Sequence, residues 1–510
     1  MKINLAPTRL IMSRDDFCTK LSELVTRAGL RVRKVSDVEF KIDPDSSRGM
    51  KVPVTIYAND MLASKMVSDR TIDQAANVAS LPGVRKHVVV LPDGHEGYGF
   101  PVGGVAATDA EEGVISPGGV GYDINCGVRL IRTSLTEADL RPRLKDVVNE
   151  LFRSIPSGVG SEGAVRLTKS ELDELLVEGV GWAVRHGYGT RNDADVCEES
   201  GMMKGADPGS VSDTARKRGA PQLGSLGSGN HFLEVQKIDR IFDEKAAKAM
   251  GIETEGQLTV LIHCGSRGFG HQVCTDYLRV SEAALRKYNI TLPDRELACV
   301  PNNSKEGENY RKAMYSALNF AWANRQMITH WTRKTLEKAF GMSESDLQMD
   351  LVYDVAHNIA KVERHRIDGE GTRDVVVHRK GATRAFPAGM EQVPTKYRQL
   401  GQPVIIPGSM GTASWILLGG KKSLDLSFGS TAHGAGRTMS RSAAKRSYTP
   451  EGVRTGLESK GIYVKALTRE GVVEETPDAY KDVDSVANVS HELGIATKVV
   501  RLVPIGVIKG

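Results

Sequence analysis

Leu258-Thr259-Val260-Leu261-Ile262-His263-Cys264-Gly265 and Leu351-Val352-Tyr353-Asp354-Val355-Ala356-His357-Asn358 share one layout: an apolar run of strand length that ends in a histidine. Runs of five or six residues rich in Val, Ile, Leu and Tyr read as strands with buried faces. His87 to Leu91, Val375 to Val377 and Val404 to Ile406 read the same way, and the last of these feeds Pro407-Gly408. Strand ends that lead into glycine-rich loops are rigid points from which reactive side chains project. A polar residue that merely ends its strand explains any one case, but not the whole set.

Between these runs lie helical stretches. The strongest spans Asn309 to Phe340, with good helix formers and an apolar stripe through Met314, Leu318, Trp322, Trp331 and Phe340. Asp15 to Arg27 carries Phe17, Leu21, Leu24 and Val25 at helical spacing. No solenoid repeat or low-complexity linker divides the chain. The expectation is a mixed α/β (α+β) fold: residues 1–24 as an N-terminal extension, and 25–510 as one large catalytic body with central β-sheets and peripheral helices.

Composition limits the function class. The 510 residues are 40% hydrophobic and 26% charged, ample for a large core. Sixty-eight basic against 63 acidic side chains give a net charge of +5, too mild to prove a nucleic-acid partner by itself. Cys18, Cys126, Cys197, Cys264, Cys274 and Cys299 are too sparse for a disulfide scaffold and form no CxxC pair. The first residues lack a signal-peptide core, and no run reaches the roughly 18 apolar residues of a membrane span. A reducing, cytoplasmic setting is expected, where Cys126 remains a free thiol.

Two segments carry chemistry. In Gly118-Gly119-Val120-Gly121-Tyr122-Asp123-Ile124-Asn125-Cys126-Gly127 a carboxylate and a thiol stand three residues apart among glycines, so one loop can turn both toward a cation. His231, within Gly229-Asn230-His231-Phe232-Leu233-Glu234, together with His263 and His357, completes a candidate ligand set. Mixed O, N and S donors suit zinc or manganese, and softness alone does not choose between them. In Phe428-Gly429-Ser430-Thr431-Ala432-His433-Gly434-Ala435-Gly436-Arg437, glycines let a phosphate approach His433 closely. An imidazole, with an ordinary pKa near ~6.5, is available at neutral pH as a nucleophile toward phosphorus.

Thr438 to Lys445 reads as a helix start, with Arg437, Arg441 and Lys445 on one cationic face; such a face suits anions or plain solvent. Pro407-Gly408-Ser409-Met410-Gly411-Thr412-Ala413-Ser414 is a small-residue turn of nucleotide-binding type, and His378-Arg379-Lys380 gathers cations beside Gly381. No GxxxxGK[ST] loop occurs. The nearest echo of a KxDG nucleophile motif, Arg366-Ile367-Asp368-Gly369, offers an arginine that does not deprotonate. Covalent nucleotide transfer would therefore fall to His433.

Together these segments resemble the RtcB family of RNA-splicing ligases, in the family's order. Asp93-Gly94-His95-Glu96-Gly97, His263-Cys264-Gly265-Ser266-Arg267-Gly268 and His378-Arg379-Lys380-Gly381-Ala382-Thr383-Arg384 add to the match, which runs from about residue 25 to Lys509-Gly510. The resemblance implies two Mn2+ ions, one on Asp123, Cys126 and His231, the other on Cys126, His263 and His357. It implies GTP contacts at Asn230, His231, Phe232, Leu233, Glu234, His357 and Asn358. Further contacts would come from Pro407, Gly408, Ser409, Met410, Ser414, His433, Gly434, Ala435, Gly436, Tyr480 and Lys509. Arg267, Lys380 and Arg437 would hold phosphate charge. The implied reaction joins a 2′,3′-cyclic-phosphate or 3′-phosphate RNA end to a 5′-hydroxyl end through a guanylylated His433. RNA, with tRNA halves foremost, and an archease-type activator protein are the implied partners. Cys264 and Phe269 depart from the serine and leucine common in relatives, and a second thiol beside His263 would favour a softer ion. Two other classes remain: a dinuclear metallophosphoesterase, which needs the ligands but no nucleophilic His433, and a noncatalytic RNA-binding subunit.

Overall fold

Residues 23–510 are described by the structure, a computed structural model. The chain first lays down β1 (Glu23–Val25), β2 (Arg31–Ser36), β3 (Glu39–Ile42), β4 (Val54–Tyr57), β5 (Val84–His95) and β6 (Val102–Asp109). It then forms β7 (Gly127–Thr136), β8 (Phe232–Ile241), β9 (Gln257–Cys264) and β10 (Leu351–Ala356), and returns through β11 (Asn358–Ile367), β12 (Gly371–Lys380) and β13 (Ala382–Arg384). Last come β14 (Pro403–Ile406), β15 (Ser414–Gly419), β16 (Ser430–Ala432), β17 (Tyr463–Ala466) and β18 (Ala496–Lys509).

Two eight-stranded sheets result. One has the order β1-β2-β3-β4-β5-β6-β12-β11; the other runs β10-β7-β9-β8-β18-β15-β14, with β17 added beside β18. Pairings are antiparallel apart from β4 with β5 and β17 with β18. β9 is buried along its whole length because it lies between β7 and β8 and is covered on both faces. Two apolar cores form between and behind the sheets, one through Phe40, Ile56, Val89 and Trp415, the other through Ile131, Leu261, Trp322 and Tyr353, and each takes residues from both sheets.

Four helices bear on the site: α1 (Asp213–Gly219), α2 (Arg267–Lys287), α3 (Lys305–Phe340) and α4 (Arg441–Ser447). α3 starts where the Ser304 hydroxyl accepts from the Gly307 amide and stops at Gly341, whose φ of 66° suits glycine. Its buried face covers β9 and includes Trp322 and Arg325. No helix among the described residues is long and apolar enough to cross a membrane.

The expected mixed α/β architecture and the five strand runs are present, as is the long helix, which begins four residues earlier than expected. The N-terminal expectation is corrected. Residues 15–22 lie outside the described residues, but Glu23–Val25 is a strand paired with Arg31–Arg33, not helix. Leu24 packs on the first core, so sheet pairing overrides a short apolar spacing that fits either period. The helix expected from Thr438 begins only at Arg441, because Ser440 is the residue that caps it.

What holds the strand ends in register is a buried guanidinium. Arg325 donates Nε and Nη2 to the Asp354 carboxylate at 2.9 and 2.7 Å, and Nη1 to the carbonyls of Asn125 and Cys264, both at 2.8 Å. Nη2 also reaches Asn125 Oδ1 at 2.9 Å, so all five N–H groups are used. Arg129 adds a third bond to Asp354 at 2.6 Å. Removing one partner of such a network strands buried charge and carbonyls. Arg325→Met is expected to lose about 3–5 kcal/mol in denaturant unfolding. Arg153→Met, which breaks an exposed i,i+3 pair with Glu150, is expected to leave the midpoint unchanged.

Candidate active site

One residue joins the two sheets at the site. His357 alone separates β10 of one sheet from β11 of the other. Its amide donates to the Cys126 carbonyl at 2.7 Å, and its own carbonyl accepts from Ala382. Asn358 fastens the joint: its Nδ2 donates to the Asp123 carbonyl at 2.9 Å, and its Oδ1 accepts from the Gly381 amide at 2.8 Å. The ends of β5, β9, β12 and β18 and the start of β8 converge on the same place. A cavity of about 290 Å3 opens there, bordered by Asp123, Cys126, His263, His357, His433 and Lys509.

Four imidazoles line up across this cavity. Ring centroids are 5.8 Å apart for His231–His263, 5.5 Å for His263–His357 and 5.1 Å for His357–His433. At one end Asp123 lies 2.8 Å from His231 Nε2, and Cys126 Sγ is 3.6 Å from the same nitrogen and 3.3 Å from His263 Nε2. Asp123, Cys126 and His231 offer donor atoms all within 4.8 Å of one another. His263 Nδ1 and His357 Nε2 are buried without a hydrogen-bond partner. A carboxylate, a thiol and an imidazole this close together, with the unpaired Nε2 of His357 on the same cavity, form a donor set that fits a divalent cation. Without a cation, burial and then Asp123 push the Cys126 thiol up to about 11. Burial opposes protonation of His231, but Cys264 and Asp123 raise its pKa well above the ordinary value. A bound cation reverses this balance by favouring thiolate and neutral imidazole. On the far side of His357, Nδ1 meets the Thr383 hydroxyl at 3.0 Å, which fixes the ring with Nε2 toward the cavity.

At the other end stands Asp93, fully buried. Its Oδ2 lies 2.5 Å from His433 Nδ1 and accepts from the His433 and Gly434 amides at 2.9 and 3.3 Å. Burial would raise this carboxyl, but His433 wins and holds it below the usual value. With Nδ1–H donated to Asp93, the lone pair of His433 is on Nε2. Gly381, at φ +58°, admits this ring: a Cβ there would stand 3.0 Å from His433 Cε1. Lys481 donates to the Gly94 carbonyl and braces the Asp93 turn.

The matching family profile is described as "tRNA-splicing ligase RtcB" and covers residues 74–510. The chain belongs to the RtcB family. It is 57% identical to the "tRNA-splicing ligase RtcB" of Thermococcus kodakarensis over 479 residues, 94% of this chain and 99% of the relative. Proteins of the same description from Pyrobaculum aerophilum and Aeropyrum pernix are each 56% identical over 94% of this chain, which spans 99% and 100% of them.

Most residues singled out in the sequence meet at the cavity. Asn230, Phe232, Asn358, Pro407, Gly408, Ser409, Met410, the His433–Gly436 run, Tyr480, Lys380 and Arg437 join Asp123, Cys126, His263 and His357 on its wall, whereas His231 stands behind Asp123 and does not border it. Glu234 and Ser414 lie one layer behind, bridged by Gln236 at 2.7 and 3.0 Å. Leu233 turns into the hydrophobic core, as strand alternation requires of the residue between Phe232 and Glu234. Arg267 does not border the cavity; it donates to Gly158 O and Ser225 Oγ. The cationic face expected of Arg437, Arg441 and Lys445 is neutralised by Glu474 and Glu475, and Arg437 precedes the helix. Of His378-Arg379-Lys380 only Lys380 reaches the cavity, since Arg379 is paired with Glu363 inside the sheet. Asp93, Thr383, Glu475 and Arg325 escape the sequence reading as individual residues, although the Asp93-Gly94-His95 motif and the charge of Asp354 inside an apolar run are visible signals.

Thr383 gives a test independent of catalysis. Thr383→Val keeps the volume and removes the partner of His357 Nδ1. It is expected to weaken divalent-cation binding by about 10–100-fold in titration calorimetry, while the metal-free protein keeps its thermal transition.

Proposed function

We propose that the chain is a GTP- and Mn2+-dependent RNA ligase that joins 2′,3′-cyclic-phosphate or 3′-phosphate ends to 5′-hydroxyl ends, in tRNA splicing and RNA repair. The observation that carries this reading is His433. One nitrogen is committed to a buried carboxylate, the other is free, and a histidine-rich donor set stands 5.1 Å away by ring centroids. The names of the relatives supply the substrate class, RNA.

His433 Nε2 attacks the α-phosphorus of GTP. A P–N bond forms, the bond to the bridging oxygen breaks, and pyrophosphate leaves. Asp93 keeps the Nδ1 proton and compensates the charge that develops on the ring. Two Mn2+ ions held by Asp123, Cys126, His231, His263 and His357 would neutralise triphosphate charge and stabilise the transition state at phosphorus. Hydrolysis opens a cyclic end to a 3′-phosphate, whose oxygen displaces His433 from phosphorus and takes the GMP. The 5′-hydroxyl oxygen then attacks the 3′-phosphate phosphorus and GMP leaves.

The base end of the cavity suits guanine. Glu234 is buried, carries one unpartnered carboxylate oxygen and lies near Lys509. Burial pushes its carboxyl up to about 8, and it stands one layer behind Phe232 and Lys509, which border the cavity. Lys509 offers a donor for O6, and Phe232, beneath Lys509, offers an apolar face. Tyr480 and the Pro407–Met410 turn complete this wall.

The deciding experiment is incubation with α-labelled GTP and Mn2+. The protein is expected to take up an acid-labile label that His433→Ala abolishes, with joining of a cyclic-phosphate RNA to a 5′-hydroxyl RNA lost by at least about 10^4-fold. Phosphate release without labelling or joining would instead indicate a metallophosphoesterase. RNA binding with neither would leave only a binding subunit.

A further inference from the structure

Outside the cation and nucleotide residues, the rim of the cavity carries an aromatic feature that this chemistry does not use. The ring of Tyr122, on the cavity wall, is stacked on His271 of α2, with centroids 4.8 Å apart and planes at 28°. Tyr98 meets the same tyrosine edge-on at 5.6 Å, and Lys380 Nζ stands 6.0 Å from the centroid of the Tyr98 ring. His271 is exposed, whereas Tyr122 and Tyr98 are half-buried. The stack therefore begins in the cavity and ends on an open imidazole face. A pair that served only to pack the interior would not leave its outer ring in solvent.

Charge is arranged around this stack with a direction. Arg218, at the end of α1, is exposed and donates to Gln272 at 2.8 Å, beside His271. Lys217 precedes it on the same exposed turn. Glu282 and Glu296 face Tyr98 and Tyr122, whereas His271 lies within reach of Arg218 and Asp123. Cations on one side of an exposed aromatic stack, with a phosphate-chemistry cavity on the other, are the two components of a single-strand nucleic-acid track.

We propose that Tyr122 and His271 form a stacking platform for an unpaired nucleobase of the RNA strand whose end enters the cavity, with Arg218 and Lys217 taking the phosphates outside it. The inference rests on the ligase reading for its ligand. It adds a subsite that selects single-stranded over paired ends, because a base held in a duplex cannot reach the imidazole.

The test uses the full-length protein and two oligonucleotides, one 3′-phosphorylated and one with a 5′-hydroxyl. His271→Ala is expected to raise the KM for RNA by about 5–150-fold, the range of one lost base stack. kcat and RNA-independent labelling by α-labelled GTP are expected to hold, and His271→Phe to restore the KM. Abasic sites in the last three positions of one strand, placed in each strand in turn, should cost the wild type the same factor for the strand that uses the platform. They should cost His271→Ala nothing further. A KM within twofold of wild type in His271→Ala, or equal weakening on intact and abasic strands, overturns the platform. Absence of label on the wild type overturns the His433 reading instead, and RNA fluorescence anisotropy then still measures the platform.

Discussion

The loops that carry the proposed cation donors are tied together by Arg325. Its five N–H groups reach the residue before Cys126, the residue after His263 and the strand that ends at His357. A planar guanidinium with fixed donor directions can tie three loops at once, and a lysine ammonium cannot. The net stabilisation from such a buried pair is modest, because two charges are taken out of water to make it. Its larger effect is geometric. The Cys126 loop, with Asn125 at φ +54°, is fixed against the long helix by Arg325 and by Asn125 Nδ2, which donates to the Leu318 carbonyl at 2.8 Å.

The joint between the sheets adds a second constraint. Because His357 belongs to neither sheet, a rotation of one sheet against the other would displace that ring from both Cys126 and His433. Asn358 and Thr383 oppose this from opposite sides of the joint. The line of imidazoles is thus anchored at its ends by Asp123 and Asp93, and at its centre by the Thr383 hydroxyl on His357. Burial, followed by neighbouring histidines, drives the pKa values of His263 and His357 well below the ordinary value.

The strands that end in histidine are legible in the sequence because their periodicity and length are local properties. The long helix is legible for the same reason. Asp93 and Arg325 are not, because their roles depend on contacts spanning 340 and 200 residues, which no window reports. The strand at Glu23–Val25 reads as helix in the sequence because three residues carry no period of their own. The helix after His433 reads as starting too early because Thr438 and Ser440 both offer a hydroxyl cap, and only the fold selects Ser440. The cations on that segment are legible as charges, but their neutralisation by Glu474 and Glu475 is not.

That neutralisation resolves a conflict in the cavity. A site for a triphosphate needs surplus positive charge, yet a buried cation without a partner is costly. Here Glu475, nearly fully buried, is shared: Arg441 lies at 3.0 Å, Arg437 at 3.3 Å and Lys509 at 3.7 Å, and Tyr480 donates its hydroxyl as well. Three cations on one carboxylate leave each with a partner while the group keeps a net positive charge. The carboxylate is held below its usual pKa although burial works against it, because Lys509, Arg441 and Arg437 all favour the charged form. A phosphate entering the proposed nucleotide site would therefore meet cations already fixed in position, their side-chain entropy lost on folding and not on binding.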